Sequence, residues 1–161
     1  MNYPMIFYTL GWVVNFEGIC MLLPFFCALG FSEQNPFLFL ICMGICLLVG
    51  IPLTLIRPKE KSMFAKEGFV IVALSWILLS IFGALPFFLS RQIPLFTDAL
   101  FETASGFTTT GASILPDVEA LPKSMLFWRS FTHWIGGMGV IVFLVALLPL
   151  SGGDNLHLLR A

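Results

Sequence analysis

The stretch Asp98-Ala-Leu-Phe-Glu-Thr-Ala-Ser-Gly-Phe-Thr-Thr-Thr-Gly-Ala-Ser113 decides the fold. It is too short and too polar to cross a bilayer, yet it lies between two apolar runs of spanning length. Irregular backbone is tolerated at membrane depth only where it is buried in protein or lines a water-filled cavity. A short helix followed by Thr-Thr-Gly suits a row of backbone carbonyls aimed at a dehydrated cation. The stretch therefore predicts a re-entrant pore helix followed by one strand of an ion-selectivity filter.

Within it, Thr97 suits a helix N-cap, Asp98 suits the positive end of the helix dipole, and Gly106 suits a C-terminal stop. A helix over 98–105 is roughly 12 Å long, less than half of the ~30 Å hydrocarbon core. Its C-terminus, worth about −0.5 charge, then points toward the membrane centre. Glu102 lies on this pore helix. The return limb is Thr108, Thr109, Thr110, Gly111, Ala112 and Ser113. Glycine at 111 permits the positive φ that turns a carbonyl around, and the threonine hydroxyls either add an oxygen ring or brace the loop. Taken as a bare string the motif is also that of an ordinary turn; its position between two spans is what favours a filter.

Working outward, four runs have spanning length: 6–29, 36–56, 69–89 and 125–148. Pro24, Pro52 and Pro86 each fall near a helix end, where a lost backbone bond costs least. Apolar residues make up 58% of the chain and charged residues 11%. Soluble domains carry about 25% charged residues, so the composition is that of an integral membrane protein. It offers no basic patch for nucleic acid. Cys20, Cys27, Cys42 and Cys46 sit in apolar runs without C-x-x-C spacing, which favours neither zinc nor disulfides. The start of the chain lacks the positive region of a cleaved signal peptide, so the first run is expected to be retained.

Arg57, Lys59, Lys61 and Lys66 are four of the eight basic side chains and share one loop. The positive-inside rule makes that loop cytoplasmic, with both termini. The segment 90–124 is then external. Asp98, Glu102, Asp117 and Glu119 outweigh Arg91 and Lys123 there, giving an acidic mouth that concentrates cations; an ordinary solvated loop is the plainer reading of Asp117 and Glu119.

Ionisable groups inside spans need a partner or a watery cavity. Arg129 is expected to snorkel outward or to form a structural ion pair with Glu102. His133 and Gly137 share its face; packing is the expected role of His133, as it is of Gly136, Gly137 and Gly139. Glu17, near Asn15, is expected to be hydrogen-bonded in the bundle or protonated, proton coupling being the sharper alternative. Gly68 suits a helix entrance and Gly83 a packing notch. Trp128 is the expected interfacial belt residue among the tryptophans.

Four stretches in order, Lys66-Glu67-Gly68-Phe69, Gly83-Ala84-Leu85-Pro86-Phe87, Asp98 through Ser113, and Gly136-Gly137-Met138-Gly139-Val140-Ile141-Val142, resemble the Trk/Ktr/HKT superfamily of potassium transporters. The resemblance is closest to the bacterial TrkH/TrkG branch. It implies an all-α membrane protein: an N-terminal transmembrane hairpin (1–56), a cytoplasmic basic loop (57–68), one helix–pore loop–helix repeat (69–149) and a cytoplasmic tail (150–161). It also implies potassium uptake across a bacterial inner membrane, with Gly111 as the filter glycine. Thr109 and Thr110 become the foremost potassium ligands, beside Thr108 and Ala112. Ala112 and Ser113 depart from the rest of the filter signature, which suggests looser ion selection.

The family carries four such repeats around one pore, and this chain has one. It is therefore expected to be a fragment, or to need other copies. The implied partners are membrane lipid, the other three repeats, a second transporter in a homodimer, and a cytosolic nucleotide-binding regulatory subunit. The transported potassium ion is the substrate, and no organic cofactor is implied. Two rivals remain. A non-transporting scaffold or inactive fragment is one. An intramembrane enzyme is the other, but the chain has neither H-E-x-x-H nor G-x-S-x-G, and Ser151-Gly152-Gly153-Asp154 imitates only part of an aspartyl protease motif.

Overall fold

A computed structural model describes the backbone of residues 2–58 and 65–151, and side chains over 2–58 and 67–141. All regular structure in it is helical: α1 Tyr3–Cys20, α2 Leu22–Gly30, α3 Phe37–Leu55, α4 Ala65–Gly83, α5 Leu85–Leu89, α6 Phe96–Phe107 and α7 Lys123–Ser151. Three segments are long and apolar enough to cross a membrane, Tyr3–Gly30, Phe37–Leu55 and Glu67–Leu89. α7 runs through the fourth expected span. Lys59, Lys61 and the tail from Gly152 to Ala161, with its aspartyl-protease-like string, lie outside the described residues, as does the side chain of Lys66.

Prolines set the breaks. Pro24 has no N–H for the Cys20 carbonyl and its ring crowds that turn, so the first span is interrupted at Met21, between α1 and α2. Pro86 sits in the first turn of α5, where a missing N–H costs little, after the break at Ala84. Pro52 falls in the last turn of α3.

α1 packs chiefly along α3 and also on α4, while α6 wedges between α4 and α7. Glycines let the backbones close: at Gly11, a Cβ would stand 2.8 Å from Leu53 Cβ, and at Gly18, 2.8 Å from Cys46 Cβ. The core joining hairpin and repeat includes Met21, Phe39, Phe87 and Trp128, all fully enclosed. Trp128 is thus no belt residue. Its indole N–H donates to the Gly83 carbonyl oxygen at 2.9 Å, which satisfies its polar edge in the interior. Trp12 and Trp134 are the tryptophans that face outward.

Candidate ion-coordinating loop

α6 is longer than its sequence suggests and is capped differently. It begins at Phe96 behind an extended Leu95 that makes no side-chain cap, so Thr97 lies inside the helix. Twelve residues give about 18 Å, still far short of the bilayer core. Gly106 is not the stop either. It is buried within α6, and a Cβ there would overlap Thr132 Oγ1 of α7. Close approach of α7 is what requires glycine at this position.

The stop is Thr109, left-handed at φ 56°. Its N–H donates to the Gly106 carbonyl at 2.9 Å, and the Thr110 N–H donates to Ser105 at 3.0 Å. These two bonds form a Schellman turn. The Ala104 carbonyl accepts from both the Thr108 N–H, at 2.9 Å, and its hydroxyl, at 2.7 Å. The carbonyls of Ala104, Ser105 and Gly106 are therefore already bonded, and that of Phe107 lies against Gly136 of α7. The negative end of the dipole persists, and the unbonded carbonyls on exposed residues begin at Thr108. A β-branched residue in the left-handed region is a true outlier and stores strain of about 1–3 kcal/mol.

Gly111 supplies a second reversal, at φ 77°, with open space where its Cβ would stand. Around these reversals, the carbonyls of Thr108, Thr109, Thr110 and Gly111 accept no hydrogen bond from the described residues. All four residues are exposed. The Ala112 carbonyl differs, since it accepts from Ser105 Oγ at 2.6 Å. Thr108 Oγ1 and Thr110 Oγ1 lie 2.8 Å apart. With the Thr108 proton on Ala104, Thr110 is the donor of that pair. These two hydroxyls brace the loop, whereas that of Thr109 has no such bond among the described residues.

Glu102 fixes the far side of the loop. Its carboxylate is buried and accepts from Ser113 Oγ at 3.0 and 3.1 Å, from the Ile114 N–H at 3.0 Å and from Arg129 Nε at 2.5 Å. One side chain so ties the pore helix, the return strand and α7 together. Glu102 is therefore not part of an acidic mouth; its charge is buried against Arg129. Asp98 is half-buried, and Asp117 and Glu119 are exposed. Asp117 also accepts from the Glu119 N–H at 3.0 Å. His133 donates from Nδ1 to the Arg129 carbonyl at 2.9 Å, a local bond on the same helix face.

The α7 glycines face the same region. A Cβ on Gly137 would lie 3.9 Å from Thr109 Cγ2, and one on Gly139 3.3 Å from the Trp76 ring. A Cβ on Gly68 would meet nothing within 4 Å among the described residues, while Gly83 is a genuine notch, abutting Thr103 and Phe107. Sequence reasoning missed Glu33, whose carboxylate accepts from the Ser124 N–H, at 3.0 Å, and from the Ser124 hydroxyl. It caps α7 from the loop between α2 and α3. A cavity of about 330 Å³ opens beside it, lined by Gln34, Asn35, Ser90 and Gln92 among others, and shares no residue with the Thr108–Ser113 loop.

The family model TrkH, a cation transport protein, matches residues 33–161. The chain belongs to this family. The TrkH match covers most of the chain, from the turn before α3 through α7. Among curated relatives, the Trk system potassium uptake protein TrkH of Escherichia coli (strain K12) is 41% identical over 151 residues, 92% of this chain and 31% of that protein. TrkG of the same organism, also a Trk system potassium uptake protein, is 40% identical over 144 residues, 88% of this chain and 30% of its own length. The crystal structure of the potassium transporter TrkH from Vibrio parahaemolyticus superimposes with a TM-score of 0.88 at 34% identity, covering 96% of this chain and 34% of that one. The fold is thus that of a helical membrane transporter family, whose relatives are transporters rather than enzymes. The chain spans about a third of the length of the relatives it matches.

Proposed function

We propose that this chain forms part of a potassium uptake pathway and supplies one strand of its selectivity filter. The observation that carries the reading is the run of four unbonded carbonyls, Thr108 to Gly111, which includes two left-handed residues, Thr109 and Gly111, at the end of a re-entrant helix. Carbonyls without internal partners replace a cation's hydration shell when they ring it. In this reading Thr109, Thr110 and Gly111 are the main ligands, with Thr108 below them. Ala112 moves from ligand to anchor, because Ser105 already holds its oxygen. One strand supplies one carbonyl per ring, so the remaining oxygens come from three further repeats or from other copies of the chain.

The domain division follows: hairpin 1–56, basic cytoplasmic loop 57–68, repeat 69–149, and cytoplasmic tail 150–161, in a bacterial inner membrane. A membrane potential gives about 2.3 kcal/mol per charge per 100 mV. At 1.4 kcal/mol per tenfold this sustains roughly a fifty-fold potassium gradient without a coupled ion. In this reading the basic loop and the tail are cytoplasmic, and a cytosolic nucleotide-binding regulatory subunit is expected to dock on them. Two full-length transporters are expected to associate as a dimer.

The test is Gly111→Ser in the full-length transporter, with rubidium and sodium uptake measured in parallel. A side chain at φ 77° disturbs the carbonyl row, and the rubidium preference is expected to fall. An unchanged preference would remove Gly111 from the filter.

A further inference from the structure

Glu17 lies near the middle of the Tyr3–Gly30 span with its side chain closed to solvent. Neither carboxyl oxygen has a hydrogen-bond partner among the described residues. Its Oε1 stands 2.9 Å from where a Cβ on Gly83 would be, and the same point is 2.8 Å from Thr103 Cγ2 and 2.9 Å from Phe107 Cε2. The acid therefore sits at the joint of α1, α4 and α6. Phe107 is the last residue of α6 before the unbonded carbonyls.

Burying a lone carboxylate in apolar surroundings is far costlier than burying the neutral acid. Among the described residues, nothing at the joint offsets a charge. The titratable groups near Glu17 are the thiols of Cys20 on α1 and Cys46 on α3. α4 presents Gly83 and α6 presents Thr103 and Phe107, none of which titrates, and Trp128 of α7 is spent on the Gly83 carbonyl. Glu102, next to Thr103 in sequence, is bonded to Arg129, Ser113 and Ile114.

We propose that Glu17 is a proton-binding site at the back of the pore helix, occupied in the state described, and that losing the proton unseats α6 from α4. An ionised Glu17 draws water or a cation into the joint, and Phe107 moves with it. The proton site stands independently of the filter reading; only its effect on permeation rests on that reading.

The experiment is infrared spectroscopy of the full-length transporter in lipid vesicles at neutral pH, wild type against E17Q. The expected result is loss of one protonated-carboxyl C=O band in E17Q. E17D, which shifts that band rather than removing it, serves if E17Q does not assemble. A spectrum unchanged by both substitutions means that Glu17 is ionised, and overturns the site. Rubidium uptake across pH then reads the coupling: wild type loses uptake at alkaline pH and E17Q does not. The same alkaline loss in both proteins would overturn the coupling to α6 while leaving the band to decide the site.

Discussion

Phe107 and Gly136 meet backbone to backbone: a Cβ on Gly136 would lie 2.7 Å from the Phe107 carbonyl carbon and closer still to its oxygen. Neither atom belongs to a flexible side chain, so relief requires α6 and α7 to separate. Gly136→Ala is expected to destabilise the protein by about 1–3 kcal/mol, as overpacking does. Gly137→Ala meets only Thr109 Cγ2, at 3.9 Å, and is expected to be nearly neutral. Thermal unfolding of the two variants in detergent checks the contrast; equal melting temperatures would contradict it.

The Glu102–Arg129 pair predicts a non-additive pair of mutants. Removing either partner from a buried pair costs 3–5 kcal/mol by the usual range. Here about 3 kcal/mol is expected for Arg129→Gln, low in that range because the Arg129 side chain keeps 18% exposure. Glu102→Gln also loses the charge that holds Ser113 Oγ and the Ile114 N–H. The double variant should cost less than the sum of the singles, because it leaves no orphan charge. Strict additivity in a double-mutant cycle would mean that the two groups do not interact.

Thr109 and Gly111 are both left-handed, and opposite outcomes are expected on exchanging their side chains. Thr109→Gly removes a left-handed penalty of about 1–2 kcal/mol and adds about 0.5–1 kcal/mol of glycine entropy cost. The variant should be as stable as the parent or slightly more so. Gly111→Ala should lose about 1–2 kcal/mol through φ alone, since its Cβ meets nothing within 4 Å. Denaturation of both variants under one set of conditions is the check. A stabilised Gly111→Ala would show that the loop adopts another backbone.

Helix limits were legible where charges or prolines end an apolar run. The run 36–56 became α3 at Phe37–Leu55, and 69–89 falls within Glu67–Leu89. The pore helix was less legible, because tertiary contacts override its local signals. Thr97 and Gly106 have the chemistry of a cap and a stop, yet Gly106 is small because α7 lies against it. The actual stop, Thr109, has a side chain that disfavours its own conformation, so no propensity points to it. Trp128 looked interfacial because it is an aromatic near a span end; only the Gly83 carbonyl, 45 residues away in sequence, explains its burial. Within the loop, the positive φ at Gly111 was the backbone feature that residue type made readable.

Glu33 was invisible for the same reason, its partner Ser124 lying 91 residues away. The contact gives a final expectation. Glu33 places a carboxylate at the positive end of α7 and satisfies one of the helix's unpaired first N–H groups. Glu33→Ala should cost about 1 kcal/mol, the usual worth of a cap. Glu33→Gln keeps an acceptor but loses the charge, so it should cost less. Hydrogen exchange over the first turn of α7 is the measurement, with faster exchange expected at the Ser124 amide in Glu33→Ala. Since Glu33 stands on the hairpin and Ser124 on the repeat, loosening of that amide together with the α2–α7 contact would mean that the cap also docks the two parts. Faster exchange confined to Ser124 would restrict Glu33 to the helix end alone.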